Sequence, residues 1–300
     1  MSMNFEEFIV GVKEGVRKRF PEAKVAVNEI VKNNNLKLNG LVIMQGASGI
    51  APTIYLEGYY ERYVETQDFK RVLEEIIEVY ENHKNPSIDY KTISEYETIK
   101  DRIVYKLINY EKNKELLQDV PYRRFNDLAV VYYITLDCVD ESGACTCLIK
   151  NNLMYLWKKS EEELFKLAEE NSPIVFKANF TSMADTLKNF KAFDDEDEVT
   201  EEMLNECGVY VLTNESKHNG AAVMLYEGVL RGIADNLKTD LIIIPSSIHE
   251  LIILSDNKNM VYDYVLDIVR EVNGTLMTEE VLSNNIYKYI RSEDRTVIIE

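Results

Sequence analysis

The chain has 300 residues, 46% of them hydrophobic, with only 12 Gly and 6 Pro, a globular composition with room for a buried core. Against 52 Asp and Glu stand 34 Lys and Arg, and a formal charge of −18 leaves no basic stripe to neutralise phosphates, which excludes direct nucleic-acid binding and disfavours anionic membrane surfaces. The longest uncharged run, Leu38 to Leu56, carries Asn, Gln, Ser, Pro and Gly and is not a membrane span.

In chain order, apolar residues at Phe5, Phe8, Ile9, Val12 and Val16 predict a helix over Asn4 to Phe20, ended by Pro21. Strands follow over Lys24 to Lys32 and Leu36 to Met44, joined across Asn33-Asn34-Asn35. Gln45 to Pro52 is a Gly-bearing loop, Thr53 to Val64 enters a helix, and Asp68 caps another with a stripe from Phe69 to Tyr80. Ile93 to Leu117 reads as helical, with Tyr96, Ile99, Ile103, Val104, Leu107 and Ile108 facing inward.

Leu128 to Leu136 is the most β-like run and pairs with Ala144 to Lys150. Short helices are expected from Asn152 to Trp157, after the Ser160–Glu163 capping box up to Pro173, and from Ser182 to Phe190. An acidic loop, Asp194 to Glu198, precedes a helix capped by Thr200. The densest apolar stretch, Gly208 to Gly274, reads strand (Val209 to Leu212), Asn219-Gly220 turn, small-residue strand (Ala221 to Leu225) and helix from Tyr226. Two strands about Pro245-Ser246-Ser247 follow, then a helix with its stripe at Tyr264, Val265, Ile268, Val269 and Val272, stopped by Gly274. Thr278 caps a last turn or helix, and Ile286 to Ile290 with Thr296 to Ile299 form a terminal hairpin.

These elements define an α+β fold, with mixed or antiparallel sheets and packed helices in two connected halves, residues 1–120 and 121–300. The pattern Lys37, Asn39-Gly40, Val42-Ile43-Met44 is echoed by Lys217, Asn219-Gly220, Ala222-Val223-Met224, which admits either chance or two ββα-type units.

Chemistry-bearing motifs are sparse. Ser246 or Ser247 as nucleophile, His249 as base and Glu250 as orienter compose a hydrolase-type candidate, although strand alternation sends His249 and Glu250 to opposite faces and no G-x-S-x-G elbow is present. Binding candidates are Tyr59 and Tyr60 as an aromatic edge, Arg123 and Arg124 as an anion clamp, and Lys217 with Asn219 in the turn. His83, His218 and His249 form no H-E-x-x-H, Cys145-x-Cys147 has no zinc-site spacing, and Gly46-Ala47-Ser48-Gly49 lacks the Lys-Ser/Thr of a phosphate loop, so no metal and no cofactor are expected. Four unpatterned cysteines and an acidic N-terminus without a signal-peptide pattern fit a reducing, cytoplasmic setting.

The segments FNDLAVVYYITL, YVLTN…NGAAVMLY, PSSIHELIIL and EVNGTLMTEEVLSNNIYKYIR, with PTIYL (Pro52 to Leu56) and NYEKNKELL (Asn109 to Leu117), resemble a bacterial domain-of-unknown-function family found mostly in gut anaerobes. That resemblance spans essentially the whole chain and implies a cytoplasmic bacterial protein without supplying an activity, cofactor or partner. The leading expectation is a non-catalytic binding or interaction protein, with the hydrolase as alternative. A third reading is an inhibitor that mimics nucleic acid towards a protein partner through its acidic surface.

Overall fold

The computed structural model describes residues 2–45, 51–83, 90–140, 143–189, 208–245, 247–256 and 260–299, and the elements below are numbered within them. The N-terminal unit opens with α1 (Phe5–Arg19), where Asn4 and Glu7 form a reciprocal capping box. Strands β1 (Lys24–Val31) and β2 (Lys37–Met44) pair in antiparallel register, and β3 (Thr53–Tyr55) adds to β2. Helices α2 (Glu57–Thr66) and α3 (Phe69–His83) follow, and α1 and α3 bury Phe8, Val12, Val16, Val72, Ile76 and Tyr80 with Leu41 and Ile43 of β2 in one cluster. The expected helix from Thr53 therefore begins with a strand: Thr53 and Ile54 are β-formers that complete the exposed side of β2, and the helix starts only at Glu57.

The second correction is larger. Only α4 (Tyr90–Ser94), α5 (Tyr96–Ile99) and a 3₁₀ turn precede β4 (Ile103–Asn109), a strand where the spacing suggested helix. Positions 103, 104, 107 and 108 satisfy a helical stripe, but a strand buried on both faces satisfies them too. Ile103, Tyr105 and Leu107 enter the large core, while Ile108 belongs to a second cluster on the other face. β4 pairs with β6 (Leu128–Asp140), which also takes β5 (Tyr122–Phe125) along its first half and β7 (Gly143–Leu148) along its second. This sheet draws one strand from before residue 120 and three from after it.

Helices α6 (Asn151–Trp157) and α7 (Glu161–Val175) come next, and the Ser160–Glu163 capping box forms as expected. Pro173 lies inside α7 rather than beyond it; the Glu169 carbonyl it leaves without an N–H partner is on an exposed part of the helix. β8 (Ala178–Ser182), absent from the sequence reading, pairs with β9 (Val209–Asn214), and α8 (Met183–Asn189) is capped by Ser182. The C-terminal elements are α9 (Val229–Leu237), β10 (Leu241–Ile244), β11 (Leu251–Ser255), α10 (Tyr262–Asn273), β12 (Ile286–Ile290) and β13 (Arg295–Ile299). Six strands form an antiparallel sheet in the order β13-β12-β10-β11-β9-β8, so the architecture is α+β. The acidic loop Asp194 to Glu198, the Thr200 cap and the Gly46–Gly49 loop lie outside the described residues.

Ala221 to Leu225 is not a strand but part of a buried 3₁₀ turn, Gly220–Leu225, packed on β4. A β-carbon on Gly220 would fall 2.1 Å from Thr213 Oγ1, 2.5 Å from the His249 carbonyl oxygen and 2.8 Å from the Asn214 nitrogen, so the turn closes only around glycine. The 219–225 segment therefore has no hairpin to match β1–β2, and the sequence echo is not a structural repeat. In α10 the buried residues are Leu266, Val269 and Asn273, while Tyr264, Ile268 and Val272 of the expected inward stripe are exposed.

A chain of buried amides ties the parts together. Asn34, in left-handed conformation (φ 58°) at the β1–β2 tip, donates through Nδ2 to the carbonyls of Thr278 and Val281, both at 2.7 Å. Its N–H donates to Asn113 Oδ1 at 2.8 Å, and its Oδ1 accepts from Asn113 Nδ2 at 2.9 Å. Asn113 Nδ2 also donates to the Asn109 carbonyl at 2.8 Å, and Asn109 Nδ2 to that of Leu282 at 3.0 Å. Next door, Asp127 accepts from Ser283 Oγ, Asn285 Nδ2 and the Tyr287 hydroxyl. Truncating Asn113, which is fully buried, strands Asn34's N–H and carbonyl oxygen together. We expect Asn113→Ala to lower the free energy of unfolding by about 2–4 kcal/mol in urea melts, well above a typical surface change.

Candidate functional site

Strand alternation puts Lys106 on the face of β4 opposite Tyr105, beside Val104 and Ile108. Its register partner is Val131, and the next pair on the same face is Val104 with Tyr133. The ammonium nitrogen lies 4.3 Å from the centre of the Tyr133 ring, a cation–π contact. Among the described residues the charge acting on it is another cation, Lys32, and no carboxylate contributes. Burial first, and Lys32 second, bring the Lys106 amine down to about 7. Burial likewise pushes the Tyr133 hydroxyl and the Cys147 thiol up.

The loop joining β10 to β11 approaches from the six-stranded sheet. The Ile248 N–H donates to the Glu280 carbonyl at 2.9 Å, the Ala221 N–H to the Ile248 carbonyl at 3.2 Å, and Thr213 Oγ1 to the His249 carbonyl at 2.7 Å. Facing it, the tight turn after β9 is held by Asn214, whose Nδ2 donates to the His218 carbonyl at 2.9 Å and whose Oδ1 accepts from Ser216 Oγ and the His218 N–H. Lys217 (φ 54°) and Asn219 (φ 52°) are both left-handed there.

The Asn219 N–H donates to His249 Nδ1 at 3.2 Å, which leaves the proton of the neutral ring on Nε2, 3.8 Å from Glu280 Oε1. Burial, then the Lys106 charge, lower the His249 basicity, so the imidazole is neutral at pH 7. The His218 ring sits 5.2 Å away, centre to centre. Between these walls is a cleft of about 20 Å³, room for one water-sized group, lined by Lys106, Tyr133, Thr146, Asn214, His218 and Asn219. A larger depression of about 510 Å³ lies elsewhere, between α7 and the 226–229 turn, with Glu169, Glu170 and Glu227 on its rim. Its carboxylates are solvated, and none of the perturbed lysine or histidine groups reaches it.

The sequence-selected residues divide. His249 and Asn219 meet directly, and Lys217 shapes the same turn. Ser247 is buried, its hydroxyl accepting the backbone N–H of His249 at 3.0 Å rather than meeting the ring. Ser246 lies outside the described residues, and Glu250 is exposed. Tyr59 and Tyr60 belong to the N-terminal core, where Tyr60 packs on Phe5 and Phe8 and Tyr59 lies under Arg62. Arg123 lies 3.8 Å over the Phe165 ring and spends its guanidinium on Glu161 and Glu162, so the chain supplies its anions. Arg124 donates to the Asn126 carbonyl and covers Tyr110.

Lys106, Tyr133, Lys32 and Glu280 were not selected from sequence. A signal existed for the first: a lone lysine interrupting the run Ile103 to Ile108 is conspicuous once that run is a strand.

Fold and cleft together define an α+β protein with a half-buried lysine at a sheet edge that meets no acid among the described residues. The chain belongs to the DUF5688 family, a family of unknown function, matched over residues 5–291. No curated protein and no solved structure matches it. Among the described residues no helix is long and apolar enough to cross a membrane, and no three His, Cys, Asp or Glu side chains gather as a metal set.

The lysine has a thermodynamic signature. The unfolded chain keeps the Lys106 proton up to its ordinary value of 10.5, whereas the folded protein releases it near about 7. Between those values the unfolded state holds more protons, so stability rises with pH. Lys106→Met removes the buried charge. We expect the variant to be more stable than wild type at pH 7 by on the order of 3 kcal/mol, with the gap closing as pH rises towards 9.5 in parallel urea melts.

Proposed function

We propose that the protein is a non-catalytic binding protein whose cleft at Lys106 receives an anionic group, a carboxylate or phosphate oxygen, of a small molecule or partner. The observation that carries this reading is an amine packed on the Tyr133 ring, with another cation, Lys32, as the charge that acts on it among the described residues, in a chain of net charge −18. Such a group destabilises the empty fold, and an incoming anion relieves that cost. Lys32 adds attraction, and the neutral His249 adds no competing negative charge.

The hydrolase alternative needs a hydroxyl within reach of the His249 ring. Of the two candidate serines the described one, Ser247, accepts the His249 backbone N–H through its hydroxyl, which favours binding over acyl transfer. A reducing, cytoplasmic setting belongs to the same proposal, supported by Cys147 as a free thiol.

The test is thermal unfolding in a series of phosphate, acetate and malonate concentrations against chloride at equal ionic strength. At about a hundred times Kd a specific anion stabilises the fold by roughly 2.7 kcal/mol. We expect one of these anions to raise the wild-type Tm and to leave that of Lys106→Met unchanged. Equal shifts in both proteins, or none beyond chloride, overturn the proposal.

A further inference from the structure

We propose that the outer face of α10 docks a partner protein through a helix that carries a row of lysine or arginine beside an aliphatic row. This surface makes no use of the Lys106 cleft and stands or falls apart from it. Leu266 and Val269 occupy the inward side of α10, against Ile242 and Ile286. A helix fastened to a sheet by one such stripe is normally polar on its other side. Instead Val261, Tyr264, Ile268 and Val272 lie outward, between 43% and 67% exposed, so α10 is apolar on two sides. Their spacing of three, four and four residues lines them up along about 16 Å of helix. A continuous row differs from the single apolar residues normal on a surface, and its spacing is that by which one amphipathic helix anchors another.

The charges beside the row select its occupant. Asp263, Asp267 and Glu271 each stand one position before a member of the row, about 100° round the helix, and all three are exposed. They form a second, acidic row along the flank that faces solvent, while the other flank passes through half-buried Val265 to the sheet. Of the three, only Asp267 has a cation beside it among the described residues, Arg270 at 3.3 Å, and both partners are solvated, so the pair is weak. Glu271 sits in the last turn, where the negative end of the helix dipole disfavours a carboxylate. A second copy of the chain fits this face badly. Two α10 helices packed antiparallel across a twofold lay their acidic rows side by side, and each chain brings a charge of −18. The complementary occupant meets Tyr264, Ile268 and Val272 with its aliphatic row and the acids with its lysines or arginines, and the field of the whole chain draws it in.

The experiment follows the fluorescence anisotropy of two labelled peptides titrated with the full chain, each of about 18 residues, long enough to hold a helix. The first has leucines at three- and four-residue spacing flanked by lysines, and the second replaces each lysine by glutamate. The lysine peptide is expected to bind wild type about tenfold or more tightly than the glutamate peptide, with an affinity that falls as salt rises. Ile268→Ser with Val272→Ser removes two exposed anchors without touching the core, and lysine-peptide binding drops about tenfold. Asp263→Lys with Glu271→Lys keeps the anchors and turns the preference round, towards the glutamate peptide. Lysine-peptide binding that is the same in wild type and Ile268→Ser/Val272→Ser belongs to the acidic surface at large and overturns the proposal. Absence of binding by either peptide overturns it too, as does a preference that Asp263→Lys/Glu271→Lys leaves unchanged. A wild-type dimer in sedimentation that Ile268→Ser/Val272→Ser dissociates also overturns it, since the occupant is then a second copy.

Discussion

The paired amides of Asn34 and Asn113 are the constraint on which the arrangement depends. The Asn113 amide donates to Asn34 Oδ1 and accepts from the Asn34 backbone N–H, Asn34 Nδ2 reaches the carbonyls of 278 and 281, and Asn113 Nδ2 also reaches that of 109. Individually such bonds contribute about 0.5–1.5 kcal/mol, so their weight lies in direction more than in energy. A buried amide with one acceptable geometry fixes how the β1–β2 tip docks against the end of β4.

Two features of the cleft follow from that docking. Lys32 stands two residues before Asn34, so pinning the tip brings a second cation within electrostatic reach of Lys106. The same bonds fix the segment after α10: Asn33 and Asn34 hold the carbonyls of Glu279, Thr278 and Val281, which sets Glu280 under the Ile248 N–H and beside His249. The N-terminal unit therefore contributes to the cleft through charge, and the turn after β9 lines it with Asn214, His218 and Asn219, held from behind by His249. A half-buried lysine that meets no acid among the described residues costs stability in the empty protein, and the proposed anion would offset that cost.

Much of the frame was legible in the sequence because local rules and the fold agree. The first helix, the Ser160 capping box, the β6–β7 pairing and the terminal hairpin formed where spacing and turn chemistry placed them. The family resemblance read from the C-terminal segments likewise holds. What failed did so where burial on two faces erased periodicity. β4 has apolar residues at helical spacing because every side but Lys106 is buried, and 220–225 looks like a strand because small residues pack against β4. The cleft was half legible for the same reason. His249 and Asn219 stand out as polar residues among apolar ones, but Lys106 was hidden inside a supposed helix where a lysine is ordinary. Asn34 and Asn113, 79 positions apart, carry no sequence sign that they meet.

The central claim is that Lys106 is an amine held half-neutral at physiological pH by burial and a neighbouring cation. An NMR titration of the Lys106 side chain, assigned by comparison with Lys106→Met, tests it most directly. A midpoint near about 7 is expected, moving upward in Asn34→Ala as the Lys32-bearing tip loosens. A midpoint near the ordinary lysine value of 10.5 contradicts the claim, and with it the cleft as a site for an anion.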